Sequence, residues 1–190
     1  MRPSAVVGLA NIDRQKIARH LSVRFSSSAQ AVLPLVPQSI EVWGKVRRLD
    51  GGDTIHAFKV VKMRPDSRDA TFVRYSLDVD RFAHRARWES DFETRAFFGQ
   101  LQRIFVLPLP PLPQYAQSES QVILLAEVRQ CAGVSQPKAD GPYYYNGSLG
   151  VPEVIDLACI ECLIGRVEDR GQWGIVDRSN ALSRVLMPED

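Results

Sequence analysis

Between Val73 and Val79 apolar and polar residues alternate without a break, with Val73, Tyr75, Leu77 and Val79 set against Arg74, Ser76 and Asp78. A period of two sends successive side chains to opposite faces, so this segment reads as a half-buried strand. Similar runs recur along the chain. Ile40–Val46 leads into the turn-forming Leu49-Asp50-Gly51-Gly52-Asp53 and out again through Thr54–Met63, a hairpin pattern. Phe97–Val106 is β-compatible and is expected to end at Pro108–Pro113, because proline cannot donate to a ladder. Val122–Arg129 is apolar at nearly every position, as a central strand covered on both faces would be. Ile160–Val167 and Gln172–Val176 flank Glu168-Asp169-Arg170-Gly171, a second hairpin. Strands at this spacing, without strong helical patterns between them, predict a mainly β fold, a small barrel or sandwich.

The N-terminal segment is different. Asn11–Leu21 carries a thin apolar stripe of Ile12, Ile17 and Leu21, enough for a short helix that is marginal on its own. Ser26-Ser27-Ser28, Pro34 and Pro37 then read as a linker. The expected organisation is a lead-in over residues 1–37, a β interaction domain over 38–180 and a tail over 181–190. Gly133–Gly150 reads as a long irregular stretch.

A chain of 190 residues suits one domain with a proper core. It holds no apolar run approaching the roughly 18 residues that suggest a membrane span, and its start does not match a signal peptide. Three cysteines do not make a disulfide framework, which favours a reducing compartment, nucleus or cytoplasm. The net charge of +2 conceals an asymmetry: residues 1–105 carry a balance of +7 and residues 106–190 a balance of −5. A basic half can meet nucleic acid through phosphates, or be neutralised by the other half within one fold.

Few residues suggest chemistry. Cys159-Ile160-Glu161-Cys162 is a lone CxxC, short of the four ligands zinc wants, and no metal or other cofactor is expected. Asp50, Asp53 and His56 at the first hairpin would serve a metal-dependent hydrolase or nuclease, but no nucleophile elbow or phosphate loop accompanies them, so the chain is read as non-enzymatic. Arg81, His84, Arg85 and Arg87, with Lys45 and Arg47, are the candidates for nucleic-acid contact. Trp43, Trp88, Tyr143, Tyr144, Tyr145 and Trp173 are the candidates for partner contact, the three tyrosines lining a groove or, with Trp43, Tyr75 or Trp173, an aromatic cage around a methyl-ammonium group.

Several short motifs stand in order: Trp43-Gly44-Lys45-Val46-Arg47, Asp50-Gly51-Gly52-Asp53-Thr54-Ile55, Arg68 through Tyr75, Phe98-Gly99-Gln100-Leu101, and Gly165-Arg166-Val167 through Trp173 to Asp177-Arg178-Ser179. This set resembles a β domain recurrent in proteins of fungal transposable elements, C-terminal to a transposase region of the KDZ or Plavaka type. The resemblance implies an accessory domain and not the nuclease. Phe98 through Phe105 followed by Val122–Arg129 also resembles bromo-adjacent homology (BAH) domains, although the Trp-Phe-Tyr-Arg-Pro stretch of that family is absent. That second likeness implies a chromatin protein as partner. The function expected is therefore a non-catalytic module binding a protein or chromatin partner, with non-specific DNA binding as the alternative.

Overall fold

The structure, a computed structural model, describes residues 4–47, 54–62, 68–85, 87–136 and 141–177. In chain order its elements are β1 (Ser4–Gly8), α1 (Asn11–Arg24), α2 (Ala29–Val32), β2 (Ser39–Trp43), β3 (Lys45–Arg47), β4 (Thr54–His56), β5 (Phe72–Asp80), β6 (Phe92–Leu109), β7 (Gln121–Cys131), β8 (Tyr143–Tyr145), β9 (Leu149–Asp156), β10 (Ile160–Asp169) and β11 (Gln172–Asp177). The fold is mainly β, as the alternation requires, with the main sheet curled into a half-barrel.

The strand β6 organises the sheet. One side of it pairs with β7 from Gly99 to Leu109. The other side is shared: β5 pairs with it from Phe92 to Gln100, Phe58 and Lys59 donate to the Leu101 and Gln102 carbonyls, and β2 takes over at Ile104–Val106. A bulge at Gln102 lets one strand serve these three neighbours, since an extra residue bends the strand and raises its twist. Gln102 is buried, and its amide donates to Gln100 Oε1 at 2.9 Å, which satisfies the group the bulge turns inward. Pro108 does not end β6; it pairs with Val122, and the β2 pairing stops at Val106, so no ladder on that side needs the missing N–H.

The bend divides the core. Ile17, Leu21, Ile40, Val42, Phe105, Leu107 and Leu125 fill the space between α1 and one face of the sheet. Val73, Tyr75, Leu101, Ile104, Ala126, Val128 and Ile160 form a second cluster, together with Ile55 on β4. Phe72, Phe98, Cys131, Tyr145, Ile164 and Ile175 form a third cluster under β8 and β11.

The expected boundary near Pro37 does not separate two bodies. The strand β1 pairs with β2 across it, and Ile17 and Leu21 of α1 are fully buried. A thin stripe suffices here because packing on the sheet, and not intrinsic propensity, stabilises a helix of this length. The first hairpin is present, β3 pairing with β4 in the register Lys45↔His56, Val46↔Ile55 and Arg47↔Thr54, but its strand stops at His56 instead of running to Met63. The irregular stretch expected over Gly133–Gly150 contains β8 and the start of β9. The closing hairpin turns on Arg170 and Gly171, both at positive φ, the pairing that suits the twist of a two-residue connection. The expected tail over 181–190 lies outside the described residues.

Candidate functional site

Past Tyr75 no described strand pairs with the free side of β5, and before Gly99 none pairs with the free side of β6. The two strands therefore continue beyond the sheet as a two-stranded arm, from Leu77↔Arg95 to Asp80↔Phe92. Every described residue from Arg81 to Phe92 is exposed except Phe82. Trp88 is 55% exposed and Phe92 65%, unusual for such large apolar side chains.

The tip is nonetheless well braced. The Asp80 carboxylate accepts from the amides of Phe82 (2.8 Å) and Asp91 (3.1 Å), closing the loop on itself. The Phe82 amide, more than any other group, holds the Asp80 carboxyl below its ordinary range. The Trp88 ring lies 4.9 Å from that of Phe82, and the Arg85 guanidinium sits 4.2 Å over the indole. Trp88 is thus fixed by contacts on its own loop while much of its surface still faces water.

The six residues proposed for nucleic-acid contact do not form one patch. Lys45 and Arg47 lie on β3, whose partner β4 meets the chain just ahead of β5 through the His56 amide and the Ala70 carbonyl. Arg81, His84, Arg85 and Arg87 follow the opposite end of β5. Its nine residues put about 25–30 Å between the two groups at roughly 3.3 Å per residue. Arg81 is also paired with Asp91 (3.1 Å) and Glu93 (3.4 Å).

The six aromatics are likewise dispersed. Trp88 is at the arm's tip. Trp43 donates its Nε1–H to Glu41 (2.9 Å) and packs against the core cluster of Val73 and Ile104. Tyr143 lies against Phe98, with ring centres 5.0 Å apart. Tyr144 sits on the other face of β8, where a Cβ at Gly174 would come within 3.5 Å of its ring. Tyr145 and Trp173 do meet a cation, but it is the chain's own: Arg166 Nη1 donates to Tyr145 Oη at 2.7 Å, and the guanidinium lies 4.7 Å from the Trp173 ring.

Of the hydrolase candidates, Asp50 and Asp53 lie outside the described residues. His56 faces Lys45 across the hairpin, and its pKa is lowered by burial first and by that lysine second. Cys159 ends a 3-10 turn over Leu157–Cys159, while Cys162 is on β10. Among the described residues no three His, Cys, Asp or Glu side chains converge as metal ligands. Cys131 belongs to a separate core cluster, where burial pushes its thiol up to about 12.

The most elaborate charged cluster is one that sequence reasoning does not single out. Glu127, fully buried on β7, accepts from Arg103 at 2.7 and 2.9 Å and pairs with Lys16 (3.2 Å) and Lys59 (3.3 Å). Arg103 reaches on to Asp13 of α1 at 2.8 Å. The available signal is one acidic residue inside the apolar run Val122–Arg129, which only a partner brought from elsewhere could stabilise. This cluster ties α1 to the sheet. No protein-family model, no curated protein and no solved structure matches the chain.

Proposed function

We propose that the chain is a non-catalytic interaction module that docks a protein partner through the β5–β6 arm. The observation that carries this reading is the pair of exposed aromatics, Trp88 and Phe92, at the end of an arm whose outer edges meet no described strand. Aromatic side chains buried on association dominate binding energy, and a braced Trp88 has less side-chain freedom left to lose. The resemblance to transposable-element and BAH domains supports a chromatin-linked protein as the partner class and the nucleus as the place of action.

A photo-activatable residue placed at exposed position 89, beside an intact Trp88, tests this in nuclear extract, with a control at Val23, also solvent-facing but on α1. Adducts are expected from position 89 and not from position 23. Unlabelled parent protein should compete for them, and the Trp88→Ala/Phe92→Ala double variant should not. Equal labelling from both positions would remove the arm as the docking site.

A further inference from the structure

The strand β1 ends the sheet, and no described strand pairs with its outer side. Its register with β2 runs from Ser4↔Trp43 to Gly8↔Ser39, and one residue further on the Leu9 amide donates to the Gln38 carbonyl at 2.7 Å. In an antiparallel pair the hydrogen-bonded positions alternate, so Ala5, Val7 and Leu9 bond to β2. The amides and carbonyls of Ser4, Val6 and Gly8 therefore point outward.

Exposed edges invite pairing unless something blocks them, and the outer sides of β8, β9 and the arm each carry such a block. The outer side of β8 is closed by Ser135, which exchanges hydrogen bonds with Tyr144 at 2.8 and 2.9 Å. The strand β9 carries Pro152 and Glu153, and its Asp156 is held by His20 (3.4 Å) and Arg24 (3.3 Å) of α1. The arm bears Asp80, Arg81, Glu93 and Arg95. By contrast, β1 reads Ser-Ala-Val-Val-Gly, with no charge, no proline and no bulge. Val6 is 74% exposed, and the space a Cβ would take at Gly8 is empty. The helix leans away from this edge, towards β9, so it does not obstruct an approach.

We infer that β1 is a self-association edge, pairing antiparallel with β1 of a second copy about a two-fold axis at Val6. The outward row is self-complementary. Val6 faces Val6 of the second copy and Ser4 faces its Gly8, each pair exchanging two amide–carbonyl bonds, with small side chains throughout and no like charges opposed. A copy is favoured over a foreign strand because every outward position finds a sterically and electrostatically acceptable mate in the same sequence. The two half-barrel sheets then become one continuous sheet. A five-residue ladder is well below the usual interface of roughly 1,600 Å², so dissociation constants on the order of 10–100 µM are expected.

The test is sedimentation of the full chain over a concentration series, any tag being kept off the N-terminus. The parent should dimerise reversibly. Val6→Pro, which removes the outward N–H nearest the axis, and Val6→Lys, which opposes two like charges across it, should each weaken dimerisation about tenfold or more with unchanged circular dichroism. Val151→Lys on β9 should not. Mixing Val6→Lys with Val6→Glu should restore a heterodimer, a result only a two-fold pairing of position 6 with itself produces. A parent that stays monomeric throughout, a dimer insensitive to both position-6 variants, or a lysine–glutamate mixture that fails to pair would overturn the proposal.

Discussion

The guanidinium of Arg166 lies 3.4 Å from the centre of the Phe72 ring, although the two residues are 94 positions apart and on strands β10 and β5. The cation is closed in by Trp173 on β11 and held by hydrogen bonds to Tyr145 Oη and Asp69 Oδ2, each at 2.7 Å. From Asp69 the chain of bonds continues through Thr71 (2.6 Å) to Gln100 (3.1 Å) and on to the bulge residue Gln102. One arginine thereby links the closing hairpin and β8 to the bend in β6. Two of the aromatic residues that invite comparison with a methyl-ammonium cage, Tyr145 and Trp173, are occupied in bracing this internal cation.

Substituting Arg166 tests that role. Arg166→Lys keeps the charge but loses the planar fork and the stacking surface, and Arg166→Met leaves Asp69 and Tyr145 without their partner. Destabilisation of about 1–3 kcal/mol is expected for each, read as a lower urea midpoint with a changed near-ultraviolet dichroism from Trp173. A midpoint within experimental scatter of the parent would show that the clamp contributes nothing to the fold.

The Glu127 cluster makes a pH-dependent prediction. Burial by itself would raise the Glu127 carboxyl, but Arg103, with Lys59 and Lys16 behind it, brings it down from the ordinary 4.5 to about 2. A depressed carboxyl contributes stability that is full above its unfolded pKa and disappears as pH falls through the folded one. Glu127→Gln should therefore cost about 3–5 kcal/mol at neutral pH, the range for breaking a buried pair, and should flatten the stability profile between the two pKa values. Parent and variant losing stability in parallel over that interval would contradict the assignment.

Core truncation separates what the alternation of β5 predicts from what the curled sheet does with it. Tyr75 is buried, stacked 5.6 Å from Phe97, but Leu77 is only half-buried, because it stands where β5 leaves the body of the sheet for the arm. Leu101→Ala, at a fully buried position beside the bulge, should cost about 2–5 kcal/mol and Leu77→Ala about 1 kcal/mol. Equal losses from equilibrium denaturation would mean that the arm is packed along its length.

A continuous apolar run locates β7, and turn residues between short runs locate both hairpins. Period-two patterning locates β5, since it records which face of a strand is wet. It cannot locate the arm, because Leu77 and Val79 alternate just as Val73 and Tyr75 do whether or not a neighbour strand is present. Nor can it find the reach of β6 through Pro108, which depends on β2 having departed, or the docking of α1, which depends on a sheet face assembled from distant strands. Of the six aromatics, only Trp88 is placed in a candidate site by its exposure. Phe92 has no signal beyond its position at a strand's start, and Glu127 and Arg103 find each other only across the β6–β7 ladder.

The arginines of the arm supply the last prediction. Removing one phosphate-binding arginine from a DNA-binding surface should make the slope of log affinity against log salt shallower by roughly 0.9. Arg81 is already neutralised by Asp91 and Glu93, and Arg85 lies against Trp88, so these side chains start from occupied positions. Lys45 and Arg47 are on the hairpin at the other end of β5 and cannot complete a continuous phosphate track with them. A folded Arg81→Ala/Arg85→Ala/Arg87→Ala variant should therefore bind unrelated DNA duplexes with the parent's affinity and the parent's salt slope. The same variant should lose the protein adducts formed from position 89, because Trp88 loses the cation that braces its ring. A slope shallower by about three, with the adducts retained, would instead make the arm a phosphate-binding element and set aside protein docking as its function.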